Sequence, residues 1–131
     1  MRKRILIADD EAHILHVVSM KLSNAGYEVI TAMDGQEVVE LCANDRPDLL
    51  ILDYQMPLLS GTEACTQLRR MEHMRDVPAI MLTARGFEIE RAEMAEAGIS
   101  VEMAKPFSPR ELLDNVNHLL ETAENNAEAE A

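Results

Sequence analysis

Five side chains in this sequence could carry phosphate and metal chemistry if the fold brings them together: Asp9, Asp10, Asp53, Thr83 and Lys105. Each follows an apolar run of strand length. Asp9 and Asp10 come after Ile5-Leu6-Ile7-Ala8, Asp53 after Leu49-Leu50-Ile51-Leu52, Thr83 after Ala79-Ile80-Met81-Leu82, and Lys105 after the weaker run Val101 to Ala104. Three carboxylates in one place repel one another, which is costly unless a cation neutralises them or protons are taken up. Magnesium suits such a set because it takes oxygen ligands from one or two carboxylates, waters and phosphate oxygens, and manganese accepts the same hard donors. Lys105 adds a point charge and Thr83 a neutral hydroxyl donor, both matched to phosphoryl oxygens. The chemistry allowed is transfer of a phosphoryl group to a carboxylate, where positioning and charge neutralisation do most of the catalysis. Asp53 is the better acceptor, since Asp9 and Asp10 sit side by side at a helix start and suit metal binding or capping.

The elements that must position these groups can be read from the apolar pattern. Continuous apolar runs without alternation suit strands covered on both faces. A further strand, second in chain order, is expected from Glu28 to Ala32, where Val29 and Ile30 follow a turn at Gly26-Tyr27; its polar ends place it at a sheet edge. Helical spacing links Ile14, Leu15, Val18 and Leu22, then Val38, Leu41 and Cys42, and later Leu112, Leu113, Val116, Leu119 and Leu120. Ser60 with Glu63 and Ser108 with Glu111 read as capping boxes, and Pro109 takes the first helical position, where its missing N–H costs nothing. Gly26 and Gly98 are placed to end the first and fourth helices. Short strands alternating with helices predict parallel pairing through right-handed crossovers, hence a doubly wound α/β domain with helices on both faces. In such a sheet the ligand crevice lies outside the carboxyl ends of the strands, where the five polar residues fall.

Composition narrows the function. At 131 residues the chain has the size of one domain, able to bury roughly two thirds of its unfolded surface. With 24 acidic against 12 basic residues the net charge is -12, the wrong sign for gripping nucleic acid through phosphate neutralisation. Arg2-Lys3-Arg4 is short and leads straight into an apolar strand, so it reads as a solvated terminus. No apolar stretch approaches a membrane span and no signal-peptide pattern opens the chain, so a cytoplasmic location is expected. Cys42 and Cys65 lack metal-type spacing and read as small, reduced core residues. His13 and His16 lie three apart on a helix but have no third ligand in view, and His73 and His118 read as surface or boundary residues. The segment after Leu120 has no large apolar residue; a domain over 1-121 and a disordered acidic tail over 122-131 are expected.

Taken together, the stretch Ile5 to Glu11, the segment Asp53-Tyr54-Gln55-Met56-Pro57-Leu58-Leu59-Ser60-Gly61 with Glu63, the pair Thr83-Ala84, and Lys105-Pro106-Phe107 resemble a response-regulator receiver domain of two-component signalling, over residues 4 to about 120. The resemblance implies a five-stranded parallel sheet in the order 2-1-3-4-5. It implies that Asp53 takes a phosphoryl group from a phosphohistidine on a histidine kinase or histidine phosphotransfer protein. Asp10, Asp53 and the Gln55 main-chain carbonyl would hold Mg2+ (or Mn2+), with Asp9 acting through a metal-bound water. Thr83, with Ala84 beside it, would move toward the phosphoryl group, Lys105 would pair with its oxygens, and the Lys105-Pro106 bond would be cis, a form accessible at modest cost only before proline. Gln55 and Arg85 occupy the positions that tune phosphoryl lifetime in this family, and Arg85 has the reach to contact the phosphoryl group or Glu102. Glu102 departs from the family pattern: receivers carry a tyrosine or phenylalanine three positions before the lysine, and a carboxylate cannot enter the same apolar slot without a large penalty.

The expected product is thus a phosphorylation-controlled signalling switch that changes partner binding, with only magnesium-dependent self-phosphorylation and autodephosphorylation of its own. It would stand alone or form a piece of a larger regulator. The rival from another class is a magnesium-dependent phosphatase with an aspartyl-phosphate intermediate, resembling haloacid-dehalogenase-like enzymes. Those place a second acid two residues after the nucleophile, where this chain has Gln55. A flavodoxin-like cofactor binder would need a glycine-rich phosphate loop and more aromatic residues than the two tyrosines and two phenylalanines present.

Overall fold

The computed structural model describes the backbone of residues 2–130 and side chains through residue 125. Strands β1 (Arg4–Ala8), β2 (Glu28–Ala32), β3 (Leu49–Asp53), β4 (Ala79–Thr83) and β5 (Val101–Ala104) alternate with helices α1 (Ala12–Asn24), α2 (Gly35–Ala43), α3 (Gly61–Arg69), α4 (Arg91–Ala97) and α5 (Pro109–Glu130). All pairings are parallel. The sheet order is β2-β1-β3-β4-β5, so β2 is an edge strand and the order reverses at β1 and β3. This is a flavodoxin-like, doubly wound α/β domain.

Strand alternation divides the core into two layers. Leu6, Ala8, Leu50, Leu52, Ala79 and Met81 pack under α2, α3 and α4, with Val38, Cys42, Cys65 and Leu68. Their neighbours Ile5, Ile7, Leu49, Ile51, Ile80 and Leu82 pack under α1 and α5, with Leu15, Val18, Leu22, Leu112 and Val116. Both sheet faces are therefore covered, which is why the central strands are apolar throughout. Cys42 and Cys65 are buried free thiols, and burial pushes the Cys42 thiol up to about 11. Leu41, which shares the helical spacing of Val38 and Cys42, is 37% exposed on the flank of α2.

Helix ends follow local chemistry. Ser60 and Glu63 form a complete capping box at the start of α3, and Gly98 ends α4 in the left-handed conformation. At α5 only half of the expected box is present: the Glu111 amide donates to Ser108 Oγ at 3.4 Å. Helix α5 is the longest element. The helix runs to Glu130, through the acidic segment 122-130, and Ala131 lies outside the described residues. Alanine and glutamate are strong helix formers, no glycine or proline interrupts the segment, and Lys3 Nζ reaches Glu124 at 3.3 Å. Among the described residues, no helix is long and apolar enough to cross a membrane.

Candidate functional site at the carboxyl edge of the sheet

The carboxyl ends of β1 and β3 bring Asp9, Asp10 and Asp53 together, with carboxylate oxygens within 4.8 Å of one another. Asp9 and Asp53 are buried, whereas Asp10 is exposed. Asp9, not Asp10, makes the local hydrogen bond at the start of α1: its Oδ1 accepts from the Glu11 amide at 2.9 Å. Helix α1 has no side-chain cap, so Asp10 is left free of a capping duty.

Lys105 comes in from the end of β5, across a peptide bond to Pro106 that is cis. Its ammonium lies 2.8 Å from Asp9 Oδ2, 3.3 Å from Asp53 Oδ1 and 3.3 Å from Glu11 Oε1. Three carboxylates thus face one ammonium, and Asp10 lies beside two of them, which leaves a surplus of negative charge. The cost shows on Asp53: burial raises its carboxyl to about 6, Asp9 pushes the same way, Lys105 opposes, and Asp10 adds a further raise. Lys105 shows the complement. Burial acts against its charge, but the hydrogen bond to Asp9 and the charge of Asp53 outweigh it, so its pKa is raised.

Close backbone packing fixes Asp53 in place. The Gly61 amide donates to the Tyr54 carbonyl at 2.9 Å. A Cβ on Gly61 would fall 2.5 Å from the Asp53 carbonyl oxygen and 2.6 Å from Met81 Sδ. Only glycine lets the start of α3 come this near. Before it, the loop turns through Leu58 at a φ of 71°, a conformation that favours glycine, with the leucine side chain 75% exposed.

The remaining sequence-predicted residues surround this cluster at different depths. Thr83 ends β4 with 1% exposure, and its hydroxyl makes a long 3.5 Å contact to the Met103 carbonyl, away from the carboxylates. Ala84, Arg85 and Gln55 are exposed. Glu102 is exposed on β5 at the sheet edge, so this carboxylate stays in water and fills no apolar slot. No ion pair joins Arg85 to Glu102 among the described residues. A groove of about 500 Å³ opens beside Lys105, lined by His13, Ile14 and Val17 of α1 with Arg85, Pro106 and Phe107. Two features escaped sequence reasoning. Glu11 shares Lys105; its place directly after Asp9-Asp10 was the available signal. Tyr54 stacks on Phe87, with ring centroids 4.9 Å apart, and nothing in the spacing marks that contact.

Fold and site define a doubly wound α/β domain with an acidic crevice and one lysine at the point where strand order reverses. The chain belongs to the response regulator receiver domain family, whose model matches residues 5–117. It is 41% identical over 124 residues to the alkaline phosphatase synthesis transcriptional regulatory protein PhoP of Bacillus subtilis, covering 95% of this chain and 51% of that protein. It is 41% identical over 118 residues to the phosphate regulon transcriptional regulatory protein PhoB of Pseudomonas aeruginosa, covering 90% of this chain and 52% of that protein. The chain therefore spans about half the length of these curated relatives. Among solved structures, chemotaxis response regulator CheY4 of Vibrio cholerae matches with a TM-score of 0.84 and 32% identity over 91% of this chain and 99% of that one. The receiver domain of sensor histidine kinase PA1611 from Pseudomonas aeruginosa, solved with a magnesium ion coordinated in its active-site cleft, matches with a TM-score of 0.83 and 30% identity over 92% and 99%. Receiver domains act in two-component signalling, where histidine kinases phosphorylate them.

Proposed function

We propose that Asp53 is the phosphoryl acceptor of this receiver and that a magnesium ion held by Asp10, Asp53 and the Gln55 main-chain carbonyl, with Asp9 acting through water, prepares it for transfer. The observation that carries this reading is the surplus of carboxylate at the site: of three acids within 4.8 Å, Asp9 and Asp53 share one ammonium with Glu11 and Asp10 has none, so the site fits a hard divalent cation. When bound, the metal would neutralise the acids and offer a positive seat for phosphoryl oxygens. An Asp53 carboxylate oxygen attacks phosphorus, the bond from phosphorus to the donor histidine nitrogen breaks, and the nitrogen leaves with the electron pair. Lys105 is close enough to turn from Asp9 to the new phosphoryl oxygens, and the Thr83 hydroxyl has a weak present bond to give up. The donor's histidine reaches the site along the groove between α1 and Phe107, which is continuous with Lys105. The new charge then shifts a two-state equilibrium of loops that sets affinity for a downstream protein.

Gln55 in place of a second acid argues against the phosphatase alternative, since no general acid stands two residues beyond Asp53. The test uses phosphoramidate, a small donor with the same phosphorus–nitrogen bond. Labelling is expected in magnesium or manganese and not in excess EDTA, with no sustained turnover of a phosphate ester. Metal-independent labelling would refute the role given to the acidic cluster, and sustained ester turnover would favour the enzyme.

A further inference from the structure

β5 carries no aromatic side chain, with Glu102 pairing with Met81 and Ala104 with Thr83, yet two rings stand on the other side of that threonine. The ladder between β3 and β4 continues one step past Asp53, with the Tyr54 amide donating to the Leu82 carbonyl at 2.8 Å. Alternation then places Tyr54 next to Thr83 on the face covered by α2, α3 and α4, while Asp53 faces the other way. The Tyr54 ring, packed against that core layer, lies 4.9 Å from the Phe87 ring at an interplanar angle of 36°. Phe87 belongs to the loop between Thr83 and α4, a loop that turns at Gly86 with a φ of 82° and is anchored further on by the buried Ile89.

The same tyrosine packs on the core layer to which Met94 and Ala97 of α4 belong. Burial raises its phenol above the ordinary value, and the Glu93 carboxylate of α4 raises it further while Thr62 opposes. Thr62 itself is buried and donates to Glu93 Oε2 at 3.0 Å, and Ser60 Oγ lies 3.3 Å from Thr62 Oγ1. One side chain directly after Asp53 thus touches the loop that follows Thr83 and packs on the core layer shared with α4. Tilted rings at this separation hold a preferred geometry, so a displacement of the β3 end is passed on as a displacement of Phe87.

We propose that the Tyr54–Phe87 ring pair transmits the state of Asp53 to the 84–90 loop and α4, in place of an aromatic residue on β5. This deepens the reading of Asp53 as phosphoryl acceptor and rests on it. The experiment uses beryllium fluoride with magnesium, a stable mimic of a phosphorylated carboxylate. Binding is read as a rise in melting temperature, and transmission is read as the change in amide hydrogen exchange across residues 84–97. The full chain is compared with Tyr54→Leu, Phe87→Leu and Glu102→Ala. Phe87 is 39% exposed, so its replacement by leucine keeps the fold even if Tyr54→Leu does not.

The expected result is that every variant keeps the rise in melting temperature. The exchange change should persist in the unmodified chain and in Glu102→Ala and be lost in Phe87→Leu and Tyr54→Leu. An exchange change that survives in Phe87→Leu, or no exchange change in the unmodified chain despite binding, would overturn the inference alone. Absence of binding to the unmodified chain would overturn the acceptor reading along with it.

Discussion

Replacing Asp53 by asparagine should stabilise this protein, and by an amount that depends on pH. The folded carboxyl titrates at about 6 against an ordinary value of 3.8, first through burial and then through Asp9. Below pH ~4 the group is protonated in both the folded and the unfolded chain and contributes little. Between pH ~4 and ~6 the unfolded chain has lost the proton while the folded chain retains it, so stability falls as pH rises. Above ~6 both forms are charged and the penalty is complete. At about 1.36 kcal/mol per pH unit, the difference between 3.8 and about 6 amounts to about 3 kcal/mol. Asparagine has the same shape and no charge, so the variant escapes the penalty. Urea unfolding of both proteins should give a stability difference of about 0.6 kcal/mol at pH 4 and about 3 kcal/mol at pH 7.5. Magnesium at pH 7.5 should narrow the difference, since it binds the charged site of the unmodified chain more tightly. A difference that stays flat between pH 4 and 7.5, or a variant less stable than the unmodified chain at pH 7.5, would refute the electrostatic reasoning.

Three further outcomes follow from contacts at the site. Gly61→Ala forces a Cβ against the Asp53 carbonyl and Met81, and should cost about 1–3 kcal/mol in urea unfolding as well as slowing phosphoryl uptake from a small donor. Lys105→Met leaves Asp9 and Asp53 without their ammonium, and should cost about 3 kcal/mol at neutral pH, part of it recovered on adding magnesium in a thermal melt. Ser60→Ala removes one half of the α3 capping box and should cost about 1 kcal/mol by urea unfolding, with Ser60→Asp restoring most of it.

How much of this was legible in the sequence depends on the range of the interaction concerned. Strands β1, β3 and β4 are readable because burial on both faces leaves unbroken apolar runs, and the residues after them are readable as a site because parallel strands deliver their carboxyl ends to one edge. The Ser60 box is readable because its partners are three residues apart. Lys105 is different. Its type and place were visible, but its division among Asp9, Glu11 and Asp53 spans up to 96 residues and depends on where each side chain points. Arg69 is a second case: its guanidinium bonds the carbonyls of Met74, Arg75, Ala97 and Gly98, joining the ends of α3 and α4 through contacts that no local pattern signals. The end of α5 carries two opposing local signals. Its lack of apolar residues pointed to a tail, while its alanines and glutamates favour a helix. At Glu102 the sequence revealed a missing ring, and the sheet edge explains how a carboxylate stands there at no cost.

The most direct measurement locates the phosphoryl group. The protein is incubated with acetyl phosphate and magnesium, treated with hydroxylamine to convert an acyl phosphate to a hydroxamate, and mapped by peptide mass spectrometry. The expected result is a single hydroxamate at Asp53, lost without magnesium and absent from Asp53→Asn. A phosphoryl group on Asp9, Asp10 or a histidine, or no adduct where a control receiver labels, would contradict the assignment.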